Sequence, residues 1–305
     1  MKIDEFNKYD LIISEGSIIE RLKREFAYEI DEHILNAIMV YQEEGKFLLK
    51  QIYKQYIDIA FKAEIPIIIL TPTWKANEAN LVRAGFENKN VNKDCFDFVD
   101  SIRQEYGTFA DKIFIGGLIG VKGDSYNPSE ALSIENSFNF HTYQIKNLYD
   151  AGVDFIFAST LPSLTEALGI AQAASELSAP YFLSFVIKKS GLLLDDTPLT
   201  DAITKIDSAI PNKPYAYFIN CVHPGNVIDA FNAPVNNADI IKNRVMGIQA
   251  NSSILSPEEL DNAEELIKDD IDVWAAQMKL LHNEKGLKVL GGCCGTNDKH
   301  ICKLV

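Results

Sequence analysis

Any chemistry in this chain starts from three cysteines. Cys293 and Cys294 are adjacent in VLGGCCGTNDKH (289–300), behind Gly291 and Gly292 and ahead of Gly295; Cys221 sits earlier, in FINCVHPGNV (218–227). Three thiolates held close together repel one another unless a cation neutralises them. Zinc suits them, being soft enough for sulfur and tetrahedral. Three protein ligands leave a fourth position open, the pattern of a catalytic rather than a structural site. On this reading the glycines let the backbone bend so that adjacent residues face one metal. The residues alone leave other readings open. The CC pair could be core filler, or a strained vicinal disulfide acting as a redox switch. A cysteine nucleophile could work with His223 or His300 as base, although either histidine reads equally well as a capping or surface residue. Cys95 and Cys302 read as small buried hydrophobes.

The elements that must position these thiols are legible as short, nearly continuous apolar runs. They are LIIS (11–14), IPIIILT (65–71), KIFIGGLIG (112–120), DFIFAST (154–160), PYFLSFVI (180–187), YAYFINC (215–221), RVMGIQAN (244–251) and LKVLGG (287–292). Runs without alternation belong to strands buried on both faces, as in a parallel sheet covered by helices. Amphipathic stretches lie between them. SLTEALGIAQAASEL (163–177) opens with Ser163 and has Glu166 three residues on, which predicts a capping box. The stretch 256–286 has Pro257 just inside its start and ends at Gly286, which predicts one long helix. Eight strands alternating with helices predict an α/β fold, a single (β/α)8 TIM barrel over 1–305, with an open doubly wound sheet as the alternative. The crossover 15–64 has room for two helices, so the first β/α unit is decorated. Active sites of such barrels lie at the C-terminal strand ends. Cys221 ends the sixth run and Cys293–Cys294 the eighth, so strand order brings the three thiols together.

Charge and composition exclude several functions. Lys and Arg number 29 against 43 Asp and Glu, a net charge of −14. A phosphate backbone is repelled by such a surface, so nucleic acid is not an expected partner. No run approaches the ~20 apolar residues that span a bilayer, and MKIDEFNKYDLIISEG is too acidic for a signal peptide. These features, with five cysteines and no disulfide framework, predict a cytoplasmic protein with no membrane partner. A homo-oligomer is compatible with the composition.

At this point the residues resemble a known family. NC at 220–221 followed by GGCCGT at 291–296 is similar to the paired motif of the homocysteine S-methyltransferases. FHTYQIKNLYDAGVDFIFASTLPSLTEA (140–167) and SFVIKKSGLLLDDTPLTDAI (184–203) resemble two further family segments, with Asp196 where glycine is usual. The likeness covers most of the chain after residue 100 and is weak before it. It implies a (β/α)8 barrel, Zn²⁺ as cofactor held by Cys221, Cys293 and Cys294, and small-molecule partners, a thiol and a methyl donor. It further implies transfer of a methyl group from a small cationic donor to a thiol, homocysteine giving methionine. No dedicated catalytic side chain is implied beyond the metal-held substrate thiolate.

Departures from the pattern fall on the amino-acid grip. The family's D-G-[AG]-M-G-T loop is here SEGSIIER, with Glu15 for the aspartate, Gly16 retained, and Ile19 and Glu20 at the Gly-Thr positions. At the end of the fourth run the family's Glu-Thr is Ser159-Thr160. Glu15, Gly16, Ser159 and Thr160 are therefore the expected substrate contacts, with Glu15 or Glu20 supplying the missing charge or the pocket taking a different thiol. The absence of a G-x-G-x-x-G at a strand–helix junction argues against a Rossmann-type donor pocket. A partner protein carrying a methylated corrinoid is an alternative donor. Trp74 reads as a core aromatic, with stacking on a methylated cation as the alternative. Lys75 stands where the betaine-using branch has tyrosine, which argues slightly against betaine.

Overall fold

The computed structural model describes residues 2–254 and 270–305 of the chain. Eight parallel strands close into a barrel in sequence order, β1 pairing with both β2 and β8. They are β1 (Ile12–Ser14), β2 (Ile67–Leu70), β3 (Ile113–Ile119), β4 (Phe155–Leu161), β5 (Tyr181–Phe185), β6 (Ala216–Asn220), β7 (Val245–Ala250) and β8 (Val289–Gly292). Each falls inside one of the eight apolar runs, except that β4 runs one residue past its run to Leu161, because β-branched and aromatic residues buried on both faces are what a helix-covered parallel strand requires.

The outer ring contains α1 (Ile19–Phe26), α2 (Glu43–Ala63), α3 (Glu78–Arg83), α4 (Val91–Gln104), α5 (Ile134–Ala151), α6 (Leu164–Glu176), α7 (Leu199–Ala209), α8 (Pro224–Asn232), α9 (Ala238–Arg244), α10 (Ile271–Lys285) and α11 (Asp298–Cys302). The decorated first crossover holds α1 and α2, with a 3₁₀ turn at Asn36–Tyr41 between them. Two helix expectations need correction. Ser163 does cap α6, accepting from the Thr165 and Glu166 N–H groups, but the Glu166 carboxylate turns away to other partners, so the box does not close. The helix expected over 256–286 is observed as Ile271–Lys285, capped by the Asp270 side chain and ended by Gly286 at φ 78°. Its expected start at Pro257 lies outside the described residues.

Phenylalanines fill the lower barrel. Phe114, Phe155, Phe157, Phe182 and Phe218 are buried there, and Phe6, from a 3₁₀ segment at Lys2–Lys8, plugs the N-terminal end with its ring 4.5 Å from that of Phe114. An apolar plug at the bottom leaves the C-terminal strand ends as the face where polar side chains collect. Among the described residues no helix is long and apolar enough to cross a membrane.

Candidate metal centre and substrate cavity

The tips of β6, β7 and β8 fix the cysteines through backbone bonds. Cys221 has a left-handed backbone, φ 55°, strain worth on the order of 1–3 kcal/mol. It is held there by its N–H donating to the Gln249 carbonyl at 3.0 Å and by Asn251 Nδ2 donating to its carbonyl at 3.1 Å. The Cys293 N–H donates to the Ala250 carbonyl at 2.8 Å, and the Ser252 N–H donates to the Cys294 carbonyl at 3.0 Å. Thr296 Oγ1 donates to the Cys293 carbonyl at 2.7 Å, closing the loop on itself. The glycines act differently from one another. Gly295 supplies φ 76°, as a bending residue should. Gly292 instead permits close packing: a Cβ there would lie 2.1 Å from Thr296 Oγ1.

The Cys221, Cys293 and Cys294 sulfurs all lie within 4.8 Å of one another. Cys221 and Cys293 are paired as a disulfide, and Cys294 is free with its sulfur 4.0 Å from that of Cys293. This pairing departs from the expectation of three free thiols. The donor set still fits a soft tetrahedral ion. Ligand sulfurs around zinc stand about 3.8 Å apart for bonds of about 2.3 Å, so reduction of one bond would leave three donors already grouped at that scale. Neither histidine is placed as a base. His223 caps α8 by accepting from the Gly225 N–H, and His300 accepts from the Asn297 N–H in the capping box of α11. Cys95 is buried in the core, as expected, whereas Cys302 is exposed at the end of α11 and is not a core residue.

A cavity of about 270 Å³ opens beside the sulfurs, and Glu15, Gly16, Ser159 and Thr160 all line it. Glu15 follows β1 and is 6% exposed. Burial pushes its carboxyl up to about 8, offset in part by the Leu70 N–H that donates to Oε2 at 2.9 Å. Glu20 also lines the cavity, but its carboxylate accepts from the Gly295 N–H and sits 3.8 Å from Arg24. Of the two candidates for a missing charge, Glu20 is already partnered at both oxygens.

Ser159 and Thr160 lie at the top of β4 in a neutral network centred on Asn220. Asn220 Nδ2 donates to Ser159 Oγ at 3.1 Å, while its Oδ1 accepts from the Thr160 N–H at 3.0 Å and from Ser184 Oγ at 2.7 Å. Thr160 has φ 58°, unusual for a β-branched residue and held by this network. Asn220 also contacts the Cys221 sulfur at 3.8 Å, so one side chain joins the Ser159–Thr160 end of the cavity to the cysteine cluster.

Sequence reasoning missed other walls of the cavity, including Asn36, Tyr53, Ser125 and Tyr126. Tyr53 sits on the apolar face of α2 and reads as core. Asn36 follows Leu35, whose backbone (φ 51°, ψ −125°) no local motif signals. Trp74 also stands in the cavity wall rather than in the core, with Lys75 Nζ 5.1 Å from its ring centre.

Residues 12–305 match the family model for homocysteine S-methyltransferase. The chain belongs to the homocysteine S-methyltransferase family. It is thus an enzyme of the methyltransferase class, and the match extends through the first hundred residues, where the motif likeness is weak. The homocysteine S-methyltransferase YbgG of Bacillus subtilis (strain 168) is 23% identical over 318 residues, spanning 96% of this chain and 93% of that protein. The homocysteine S-methyltransferase of Escherichia coli (strain K12) is 21% identical over 328 residues, spanning 98% and 95%. Among solved structures, the E. coli homocysteine methyltransferase MmuM superposes in its oxidized form with a TM-score of 0.80 at 19% identity, covering 100% of this chain and 98% of that one. Its metallated form gives 0.77 at 20% identity, covering 99% and 97%. Asp196, where the family motif has glycine, keeps a positive φ of 66°, so the turn survives with a residue type that tolerates it better than most.

Proposed function

We propose that this protein is a zinc-dependent S-methyltransferase moving a methyl group from a small cationic donor to a thiol, with homocysteine as the acceptor and methionine as the product. The observation that carries the reading is the convergence of Cys221, Cys293 and Cys294 on a cavity also lined by Glu15 and Ser159. The three cysteines would hold the metal once the Cys221–Cys293 pair is reduced, and the metallated form of MmuM supports a metal in this fold. When bound, zinc supplies an open fourth position and a positive charge that keeps a thiol deprotonated near neutral pH.

The chain's residues then need only hold and orient. A substrate sulfur seated beside the cysteines, its proton lost to solvent on binding, would form the new S–C bond as the donor's bond to the same methyl breaks, that bond's electron pair leaving with the donor. Placing reactants in one cavity converts a bimolecular encounter into a local one. Glu15, in the cavity wall, would receive an ammonium group, and an ammonium placed against it would favour its ionised form. Ser159 presents a hydroxyl fixed by Asn220, and Thr160 one that donates to the Ser159 carbonyl and accepts from Ser125 Oγ. Trp74 and Tyr126 offer aromatic surface suited to a cationic methyl donor.

A second reading is favoured by Ser159. With a neutral group there and Glu20 partnered, the cavity also suits a thiol without an α-amino group, or a methyl group delivered by a corrinoid-carrying partner. The deciding experiment assays reduced, zinc-loaded protein with a panel of thiols against several methyl donors. Turnover with homocysteine supports the first reading. Turnover only with amine-free thiols, or only with a corrinoid protein, overturns it.

A further inference from the structure

The loop between β3 and α5 forms one wall of the cavity, and a single buried carboxylate holds both of its ends. Glu166, on α6, is fully buried. Its Oε1 accepts the Lys122 N–H at 3.0 Å and meets His141 Nε2 at 3.0 Å, while its Oε2 accepts the Leu132 N–H at 3.2 Å. Lys75 adds a second tether, its Nζ donating to the carbonyls of Val121 at 2.8 Å and Gly123 at 3.0 Å. Between these clamps the loop bonds mainly to itself. The Asp124 N–H donates to Glu130 Oε2 at 3.0 Å, and the Tyr126 N–H donates to Asp124 Oδ1 at 2.9 Å. At its apex Ser125 and Tyr126 line the cavity, with Ser125 Oγ donating to Thr160 Oγ1 at 3.2 Å.

Burying a carboxylate is costly unless hydrogen bonds and an opposite charge compensate it. Here burial acts to raise the Glu166 pKa, but His141 and the two backbone N–H groups outweigh it and hold the carboxyl below its ordinary value. The helix that carries Glu166 does not need this carboxylate, since Ser163 already caps α6. What Glu166 fixes is the separation and orientation of residues 122 and 132, and through them the apex. We propose that Glu166 is a positioning residue, fixing the 122–132 loop so that Ser125 and Tyr126 complete the substrate cavity.

The kinetic arm of the test rests on the methyl-transfer reading; the hydrogen-exchange arm does not. Glu166→Gln keeps the volume but turns one acceptor oxygen into an amide that cannot accept. The loss of one charge-assisted bond predicts amide exchange across 122–132 about tenfold faster than in wild type, with zinc content retained and the melting temperature lowered by only about 3–5 °C. In the zinc-loaded enzyme KM for at least one substrate should rise about tenfold while kcat changes less than about threefold. A general weakening of the fold would not produce that split. Unchanged exchange at 122–132 in well-folded Glu166→Gln overturns the proposal, and so does faster exchange with both KM values unchanged. Should the Gln variant fail to fold, Glu166→Asp decides the question, since it keeps the charge but is one methylene too short to hold both loop ends. Faster exchange over the loop in Glu166→Asp supports the account, and unchanged exchange overturns it.

Discussion

The two ends of the cavity are built on different principles. At the β6–β8 end, the cysteine backbones are held mainly by main-chain bonds from the strand tips and the loop after β7, completed by the Asn251 and Thr296 side chains, and Cys221 is held in a strained φ of 55° to reach its place. At the β1–β4 end, side chains do the positioning: hydroxyls gather around Asn220, and Glu15 is a lone carboxyl that burial disfavours as an anion. A metal site tolerates no change of ligand type, because sulfur, geometry and charge must all be met at once. An organic grip can be altered one residue at a time while the barrel and the metal end stay as they are. Of the residues that depart from the family motif, Glu15, Ile19 and Ser159 fall on the second kind of surface, whereas Glu20 reaches the cysteine loop through the Gly295 N–H and Asp196 lies outside the cavity lining.

The sharpest test of that contrast is the loss of a sulfur. Cys221→Ser should lower zinc content from about one per chain to nearly none in protein purified under reducing conditions. The fall in affinity should exceed the roughly 10–100-fold that outer-shell changes around a metal produce. Cys95→Ser, changing a core cysteine remote from the cluster, should leave zinc unchanged. Metal analysis of both variants reads the result, and full zinc in Cys221→Ser would remove Cys221 from the ligand set. The disulfide sets a related expectation. Protein with the Cys221–Cys293 bond formed should bind far less zinc than the same sample after reduction, measured by thiol titration beside metal analysis. Equal zinc before and after would show that the pair does not compete with the metal.

What could be read from the sequence divides along the same line. The barrel was legible because strands buried on both faces must be continuous apolar runs, a pattern no neighbouring helix shares. The grouping of the cysteines followed from strand order alone. Their pairing as a disulfide did not, since spacing records proximity and not oxidation state. Glu166 shows the opposite case: its position three residues after Ser163 satisfies the capping-box pattern, yet burial beside His141 and two loop N–H groups offers stronger partners than a helix end. Asn36 was illegible as a cavity residue, because its exposure to the cavity depends on how α1 and α2 pack rather than on any local signal, whereas Trp74 was legible only as the alternative to a core aromatic.

Glu15 gives the next largest effect, in stability and pH. Its carboxyl moves from an ordinary 4.5 to about 8 on folding. Between those values the folded state holds a proton that the unfolded state has lost. Stability therefore falls as pH rises through this window and is level above about 8, at up to about 1.4 kcal/mol per pH unit. Glu15→Gln should abolish that slope and be more stable than wild type at pH 8 by a few kcal/mol. Urea unfolding of metal-free protein at pH 5, 6.5 and 8 checks the sign. A wild-type slope that persists in Glu15→Gln would mean that another group sets it.

Ser159 is expected to give the smallest and most discriminating effect. The homocysteine ammonium needs a carboxylate partner, and in this cavity Glu15 must ionise against its own burial to provide one. A charge-assisted hydrogen bond of this kind is worth about 1.5–3 kcal/mol, so holding the ammonium with one carboxylate instead of two weakens binding about 10- to 100-fold. Ser159→Glu would restore a second carboxylate at the tip of β4, but it must also displace the bond that Asn220 Nδ2 makes to Ser159 Oγ. The expected recovery is therefore partial, about tenfold for homocysteine. A thiol of similar length without the amino group should gain nothing, because it has no cation for the new carboxylate to meet. Competition for the zinc-loaded cavity measures both affinities in wild type and variant. Homocysteine affinity that stays the same or falls in Ser159→Glu would show that the β1–β4 end is shaped for another thiol. The reading of the cysteine end would be untouched by that result, since among the described residues hydrogen bonds link Ser159 to the cysteines through Asn220.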